Sequence, residues 1–112
     1  MSDDQPICEV DEYGDKNWLL NGKLHREDGP AIEYTDGSKS WYLNGRCYRE
    51  DGPAIEWANG YKAWYLNGKR HREDGPAIEH ANGAKHWYVD GEKIEVADND
   101  MFLRMINLKA FW

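Results

Sequence analysis

Acidic pairs at a fixed spacing are the first residues in this sequence that could do chemistry. Glu27-Asp28, Glu50-Asp51 and Glu73-Asp74 each follow an arginine and precede Gly-Pro. Paired carboxylates can bind calcium or act as an acid and a base. An active site, however, needs one asymmetric set of groups, and aspartate before Gly-Pro commonly forms a turn through a side-chain bond to the backbone. We therefore expect three structural turns, with no catalytic residue and no calcium site.

The histidines and cysteines lack the spacing of a metal site or of a catalytic nucleophile. His25 and His71 occupy one position of a recurring segment, and another copy of that segment has Tyr48 there. A position that tyrosine can fill is better explained by packing than by metal ligation. Cys8 and Cys47 form no paired motif, which favours free thiols in a reducing cytoplasm. Because a glycine-rich phosphate loop is also missing, the sequence predicts a protein that is not an enzyme and has no metal or cofactor.

A period of 23 residues organises the chain. Tryptophan recurs at positions 18, 41, 64 and 87, and glycine recurs at 14, 37, 60 and 83. Repeats of this length form arrays in which each unit buries a face of its neighbour. The sequence therefore divides into an N-terminal tail (1–7), a repeat array (8–96) with full units at 18–40, 41–63 and 64–86, and a C-terminal segment (97–112).

Two sets of turn dipeptides predict the local structure of each unit. Asn44-Gly45 and Asn67-Gly68 belong to one set, and Asp36-Gly37 and Asn59-Gly60 belong to the other. Such pairs favour two-residue hairpin turns, because both residues tolerate a positive φ. The flanking segments are short and rich in aromatic residues, as strands prefer. The predicted fold is therefore all-β, an antiparallel array of β-hairpins arranged as a meander.

The C-terminal segment predicts a helix. Asp98 can cap its first turn, and apolar residues recur from Met101 onwards with helical spacing. We expect this helix to cap the open end of the array near Trp87, with Phe111 and Trp112 as anchors. A helix that projects from the array and binds a partner is the alternative.

Counting outward from two-residue turns predicts the strand register. Ile55 falls opposite Trp64 in one hairpin, and Trp64 falls opposite His71 in the next. One face would then bury a structural core of Trp18, Trp41, Trp64, Trp87, Ile32, Ile55 and Ile78. The opposite face would carry tyrosine, glutamate and arginine. A slip of one residue in a turn would exchange the two faces.

Two longer motifs resemble a known repeat family. Trp-Tyr-Leu-Asn-Gly occurs at 41–45 and 64–68, and His-Arg-Glu-Asp-Gly-Pro-Ala-Ile-Glu occurs at 25–33 and 71–79. Over about residues 8–95 the chain resembles MORN-type repeats, in the variant found in bacterial, phage and giant-virus proteins. The resemblance implies a β-hairpin array that serves as a binding or scaffold module. It also suggests a phage-encoded inhibitor that binds a host defence or nucleic-acid-processing protein in the host cytoplasm.

The composition favours a thin fold and a protein partner. The 112 residues include 14 Lys and Arg against 21 Asp and Glu, which gives a net charge of −7. Only 18 residues are Leu, Ile, Val or Phe, but 15 are aromatic and can supply the missing core. The acidic balance disfavours direct binding to nucleic acid. Because no apolar run could span a membrane and no signal peptide is evident, we expect a cytoplasmic protein.

Positions that differ between the units indicate where a partner would bind, because the repeat fold does not demand them. They include the columns Tyr34/Trp57/His80, Ser38/Tyr61/Ala84, Leu24/Cys47/Arg70 and Ser40/Ala63/His86. Aromatic and arginine side chains are enriched in binding hot spots. We expect an aromatic, acidic sheet face that binds a protein with a basic surface, through Tyr42, Tyr65, Tyr88, Trp57, Tyr61, Glu33, Glu56, Glu79, Arg49 and Arg72.

Two other functions are compatible with the same residues. The first is a structural homo-oligomer, joined through exposed edge strands or through the tyrosine face. The second is a small-ligand or nucleotide sponge, in which Arg49, Arg72 and the aromatic rings would stack on the ligand.

Overall fold

The structure, a computed structural model, describes residues 5–108 of the chain. In this part of the chain, fourteen short strands are followed by one helix. The elements are β1 (Ile7–Val10), β2 (Lys16–Leu20), β3 (Lys23–Leu24), β4 (Ile32–Glu33), β5 (Lys39–Ser40), β6 (Tyr42–Leu43), β7 (Arg46–Cys47), β8 (Ile55–Glu56), β9 (Lys62–Ala63), β10 (Tyr65–Leu66), β11 (Lys69–Arg70), β12 (Ile78–Glu79), β13 (Lys85–Val89), β14 (Glu92–Ile94) and α1 (Asn99–Asn107). The predicted all-β array of antiparallel hairpins with a C-terminal helix is confirmed.

The strands form one long sheet and two small ladders. The long sheet has the order β1-β2-β4-β5-β8-β9-β12-β13-β14, with β3 attached to β2, whereas β6–β7 and β10–β11 pair separately. Trp64 marks the point at which the chain passes from the long sheet into a hairpin. Its N–H donates to the Ala77 carbonyl at 2.7 Å, and its carbonyl accepts from the His71 N–H at 3.0 Å. Consecutive hairpins are also joined, since the Gly68 N–H donates to the Cys47 carbonyl at 3.0 Å.

The first set of turns has the predicted geometry. Asn67 and Gly68 have φ values of 53° and 79°, and Tyr65 pairs with Arg70 across them. Two consecutive left-handed residues between paired strands form a type I′ turn. The same pair of left-handed residues occurs at 21–22, 44–45 and 90–91.

The second set of turns is one residue longer than predicted. Ile55 pairs with Ala63 instead of Trp64, so that three residues, 58–60, separate Trp57 from Tyr61. The N–H of Trp57 donates to the Tyr61 carbonyl at 2.9 Å and closes the hairpin. The predicted two-residue turn at Asn59-Gly60 is therefore wrong.

The side chain of Asn59 explains this longer turn. Its Oδ1 accepts the Tyr61 N–H at 2.9 Å, and Gly60 takes the left-handed conformation (φ 101°) while Asn59 does not. A side-chain bond to the backbone two residues on is typical of a turn followed by a glycine bulge. Asp36 and Asn82 make the same bond, to the N–H groups of residues 38 and 84.

The turn length determines which residues share a face of the long sheet. One line of paired residues across the strands is Asn17, Ile32, Ser40, Ile55, Ala63, Ile78 and His86. The neighbouring line is Lys16, Glu33, Lys39, Glu56, Lys62, Glu79 and Lys85. Because successive residues of a strand point to opposite sides, these lines lie on opposite faces. We call the side of the first line the aromatic face and the side of the second the charged face.

The prediction that tryptophan and isoleucine share a face is wrong. Trp87 alternates with His86 in β13 and therefore lies with Lys85 on the charged face. Trp64 bonds to Ala77, one residue before Ile78, and so belongs to the charged face as well. The extra turn residue thus moves each tryptophan to the side opposite the isoleucines.

The core is shallow and is built on small residues. Ala31, Ala54, Ala63 and Ala77 are completely buried, and Ile32, Ile78 and Trp87 are almost so. Of the other expected core residues, Ile55, Trp18, Trp41 and Trp64 are only half-buried. An arginine side chain stacks on the outer surface of each of the three tryptophans, as described below.

The helix covers the last tryptophan. The Asp98 side chain accepts the Met101 N–H at 2.9 Å and caps α1, as the sequence predicts. Phe102 is fully buried against Trp87, with ring centroids 6.3 Å apart, and the Trp87 indole N–H donates to the Asn99 side chain at 3.0 Å. The expected anchors Phe111 and Trp112 lie outside the described residues.

Two tryptophans test this assignment of the faces. Trp64→Ala is expected to lower the free energy of unfolding by about 3 kcal/mol, because it removes a half-buried ring together with the surface on which Arg72 stacks. Trp57→Ala should cost less than about 1 kcal/mol, since that ring is 50% exposed. Urea denaturation at equilibrium measures both, and equal losses would contradict the assignment.

Candidate partner-binding face

Two rows of rings define the aromatic face. Tyr34, Trp57 and His80 form the first row, because each directly follows β4, β8 or β12 at the same position of its unit. The second row is Tyr42, Tyr65 and Tyr88. Tyr88 alternates with Trp87 in β13 and therefore shares the side of His86. Both rows run across the strands, so a ligand lying along them would contact several units.

Ring contacts connect the units within this face. The rings of Trp57 and Tyr61 lie 4.7 Å apart, those of Tyr61 and His80 5.3 Å, and those of His80 and His86 5.3 Å. Tilted and edge-on pairs at these distances are favourable. Four rings from two units therefore form one continuous aromatic surface.

Arg70 lies among the tyrosines of the second row. Its Nε donates to the Tyr65 hydroxyl at 3.3 Å and its Nη1 to the Tyr88 hydroxyl at 3.4 Å, while Cζ lies 5.2 Å from the centre of the Tyr88 ring. The hydrogen bond with Tyr65 raises the pKa of Arg70. Burial, followed by the neighbouring Tyr65, raises the pKa of Tyr61. The guanidinium of Arg70 thus lies between the hydroxyl groups of two tyrosines of this face.

The four variable columns named in the sequence analysis lie on this face. Ser40, Ala63 and His86 belong to its line of paired residues, and Tyr61 contacts Trp57 and His80. Cys47 and Arg70 lie directly opposite tyrosines of the second row. Trp57 and Tyr34 are 50% and 36% exposed. These four columns thus form one surface with exposed aromatic rings, whereas the column Lys23/Arg46/Lys69, which also varies, alternates with Leu24/Cys47/Arg70 and points to the other side.

The charged face holds a clamp in each unit, which we define as an arginine stacked on a tryptophan. Arg72 Cζ lies 3.9 Å from the centre of the Trp64 ring. Its Nε donates to Asp74 at 2.8 Å, and its Nη1 donates to the Pro76 carbonyl and to Glu79, both at 3.1 Å. The other clamps are Arg26–Trp18 and Arg49–Trp41, each at 3.8 Å, with equivalent bonds to Asp28, Pro30, Glu33, Asp51, Pro53 and Glu56.

Each clamp requires the glycine of the Glu-Asp-Gly-Pro bend. A Cβ at Gly75 would lie 2.8 Å from Cζ of Arg72, which is closer than real Cβ atoms approach. The two residues of an acidic pair bind different partners. The aspartate binds the arginine, while Glu27 and Glu73 pair with the Nε2 atoms of His25 and His71 at 3.4 and 3.1 Å.

The predicted binding residues separate into two groups. Tyr42, Tyr65, Tyr88, Trp57 and Tyr61 lie on the aromatic face. Glu33, Glu56, Glu79, Arg49 and Arg72 lie on the charged face, in the clamps. The expectation of one surface that is both aromatic and acidic is therefore wrong, because the longer turn places the two groups on opposite sides. Arg49 and Arg72 are held in clamps and are not free to stack on a nucleotide.

The histidines have a role that the sequence pattern did not reveal. The Nδ1 of His25 accepts the Asn44 N–H at 3.0 Å, and the Nδ1 of His71 accepts the Asp90 N–H at 2.9 Å. Each imidazole thus bonds to the turn of the next hairpin and joins consecutive units. Within residues 5–108, no group of three or more His, Cys, Asp or Glu side chains could hold a metal ion.

Comparison with protein-family models gives no match, and neither does comparison with curated proteins or with solved structures. The helix among residues 5–108 is too short and too polar to cross a lipid bilayer.

The clamp can be tested with two neighbouring arginines. Arg72→Ala is expected to lower the free energy of unfolding by about 2 kcal/mol, through loss of the stacked cation and of its bonds to Pro76 and Glu79. Arg72→Lys should recover less than half of that loss, because lysine has no planar fork of donors. Arg70→Ala is the matched control and should cost less than about 1 kcal/mol. A larger loss for Arg70→Ala, measured by urea denaturation, would contradict the clamp.

The two free thiols are expected to react differently. Cys8 is exposed, whereas burial raises the pKa of Cys47 from its ordinary value of 9.0 to about 12. The thiolate is the reactive form, and a raised pKa leaves less of it at a given pH. At about pH 8, Ellman's reagent should therefore label Cys47→Ser rapidly and Cys8→Ser slowly. The rate for Cys8→Ser should keep rising up to about pH 12, because the thiolate fraction of Cys47 increases over that range.

Proposed function

We propose that the protein is a non-catalytic protein-interaction module that binds its partner through the aromatic face. The observation that supports this is that four columns which vary between the units lie on the face that exposes Trp57. Residues that are identical in the full units instead build the clamps on the other side. Surfaces rich in Trp, Tyr and Arg carry most of the energy of protein interfaces.

Such a module would act by scaffolding or by covering a surface of its partner. The clamps and the hydrogen bonds between hairpins hold the face in place before binding, which reduces the entropy lost on association. The MORN-type resemblance suggests a specific form, a phage-encoded inhibitor of a host protein, and this stays a prediction. A basic partner is not required, because the clamp carboxylates lie on the other face and the aromatic face carries Arg70.

A structural homo-oligomer is the second candidate, favoured by strand β1. All four of its residues are exposed, with Ile7 and Val10 at 68% and 62%, and β1 forms an edge of the long sheet. An exposed apolar edge strand can pair with another chain. Light scattering over a concentration series separates the two functions, because an oligomer joined through β1 gains mass as the protein is concentrated.

Trp57 tests the proposed interaction directly. A tagged protein is used to capture partners from a lysate, followed by mass spectrometry. Trp57→Ala and a Trp57→Ala/Tyr65→Ala double variant should reduce recovery of a specific partner at least about tenfold, as expected for a central hot spot. Tyr13→Ala is the matched control, since Tyr13 is 73% exposed but lies in the turn after β1.

The capture experiment requires that each variant remains folded, which circular dichroism and thermal unfolding establish. Partners recovered equally well by the wild type and by the double variant would contradict the proposed use of the aromatic face.

A further inference from the structure

The spacing of the strands in the long sheet sets the distance between successive rings of the first row. From β4 to β8 and from β8 to β12 the long sheet advances by two strands. Neighbouring strands lie about 4.8 Å apart, so Tyr34, Trp57 and His80 succeed one another at about 9.6 Å.

This spacing matches one extended peptide conformation better than the others. A polyproline II helix has three residues per turn and rises about 3.1 Å per residue, which places every third side chain on the same side at intervals of about 9.3 Å. A β-strand repeats its side every two residues, at about 6.8 Å. An α-helix returns to the same side after seven residues, at about 10.5 Å. Polyproline II therefore stays in register with the rows over several units.

The residues of the rows suit a proline-rich ligand. Proline rings pack against tyrosine and tryptophan, and the backbone of a polyproline II helix has no internal hydrogen bonds and offers its carbonyls to donors. The tyrosine hydroxyls and the Trp57 indole N–H supply such donors. Between the first two rings of the first row lies a groove of about 440 Å³, lined by Tyr34, Asp36, Ser38, Trp57, Ala58 and Asn59.

Arg70 indicates the charge of the ligand. Its polar contacts are two phenol oxygens, and among residues 5–108 it takes part in no ion pair with a carboxylate. The clamp arginines, in contrast, each bind two carboxylates. A guanidinium that has no carboxylate partner in the described part of the chain complements an acidic group on a ligand.

We propose that the aromatic face binds a proline-rich segment of a partner protein in the polyproline II conformation, with an acidic residue of that segment paired to Arg70. This rests on the proposed function, since it names the chemistry of the partner that the same face would bind. The segment would run across the strands, with every third residue on a successive unit.

Peptide libraries of defined proline spacing test this proposal. One arrayed library has proline at every third position of peptides about twelve residues long, with aspartate at varied places, and the control library has the same composition with proline at every fourth position. Binding of the labelled full chain should be enriched in the first library. Affinities for selected peptides are then measured by fluorescence anisotropy. Equal binding to the two libraries would overturn the proposal.

Variants connect the binding to the named residues. Trp57→Ala should weaken binding of a selected peptide at least about tenfold, whereas Tyr13→Ala should not change it. Arg70→Glu should weaken the aspartate-containing peptide and should bind more tightly a peptide in which that aspartate is replaced by lysine. Loss of affinity for both peptides, or for neither, would overturn the role of Arg70.

Other occupants of the face give different results. If the chain binds a single-stranded oligothymidylate but no peptide, and this binding is lost in Trp57→Ala, the ligand is a single-stranded nucleic acid whose bases stack on the face. Self-association that Trp57→Ala abolishes would replace it with a second copy of the chain. If lysate capture depends on Trp57 but no peptide binds, this inference fails and the proposed function stands. If neither responds to Trp57→Ala, both fail.

Discussion

The stacking of arginine on tryptophan is the interaction on which the rest of the structure depends. The sheet is thin, with a smallest extent of 18 Å, and among residues 5–108 the short helix α1 covers it only near Trp87. Arg72 compensates by joining the ring of Trp64, the bend at Pro76 and the strand residue Glu79. A planar guanidinium can stack through its face and donate along its edge at the same time, which the ammonium group of lysine cannot do.

The clamps also place the charged residues that stabilise the fold on one face, whereas Arg70, which is proposed to bind a partner, lies on the other. Each clamp arginine is paired with two carboxylates on one face, and these residues are the same in all full units because each clamp needs them. The opposite face carries Trp57, Tyr61, Arg70 and His86, at positions that differ between the units. The net charge of −7 therefore describes the whole chain and not the surface proposed to bind.

Much of the fold follows from the sequence because its signals are local. The hairpin at Asn67-Gly68 has the predicted register, since two consecutive left-handed residues fit a type I′ turn. The helix begins after Asp98, whose carboxylate reaches the N–H of Met101. The hairpin at Asn59-Gly60 was not predictable in the same way, because this dipeptide fits both a two-residue turn and a three-residue turn with a glycine bulge. The same error affected the candidate site, because the two-residue turn predicted that Glu56 and Tyr65 lie on one face.

By itself, the sequence determined the 23-residue period, the positions of the turns, the all-β class and the aromatic residues available for binding. These depend on the backbone preferences of single residues and on spacing along the chain, which short segments already contain. Only the tertiary structure decided which of those residues lie together. Strand side chains alternate with a period of two, so one extra turn residue reverses every later side chain relative to its neighbour strand. That extra residue is selected by a side-chain hydrogen bond of Asn59, and with it the clamps and the aromatic rows come to lie on opposite faces.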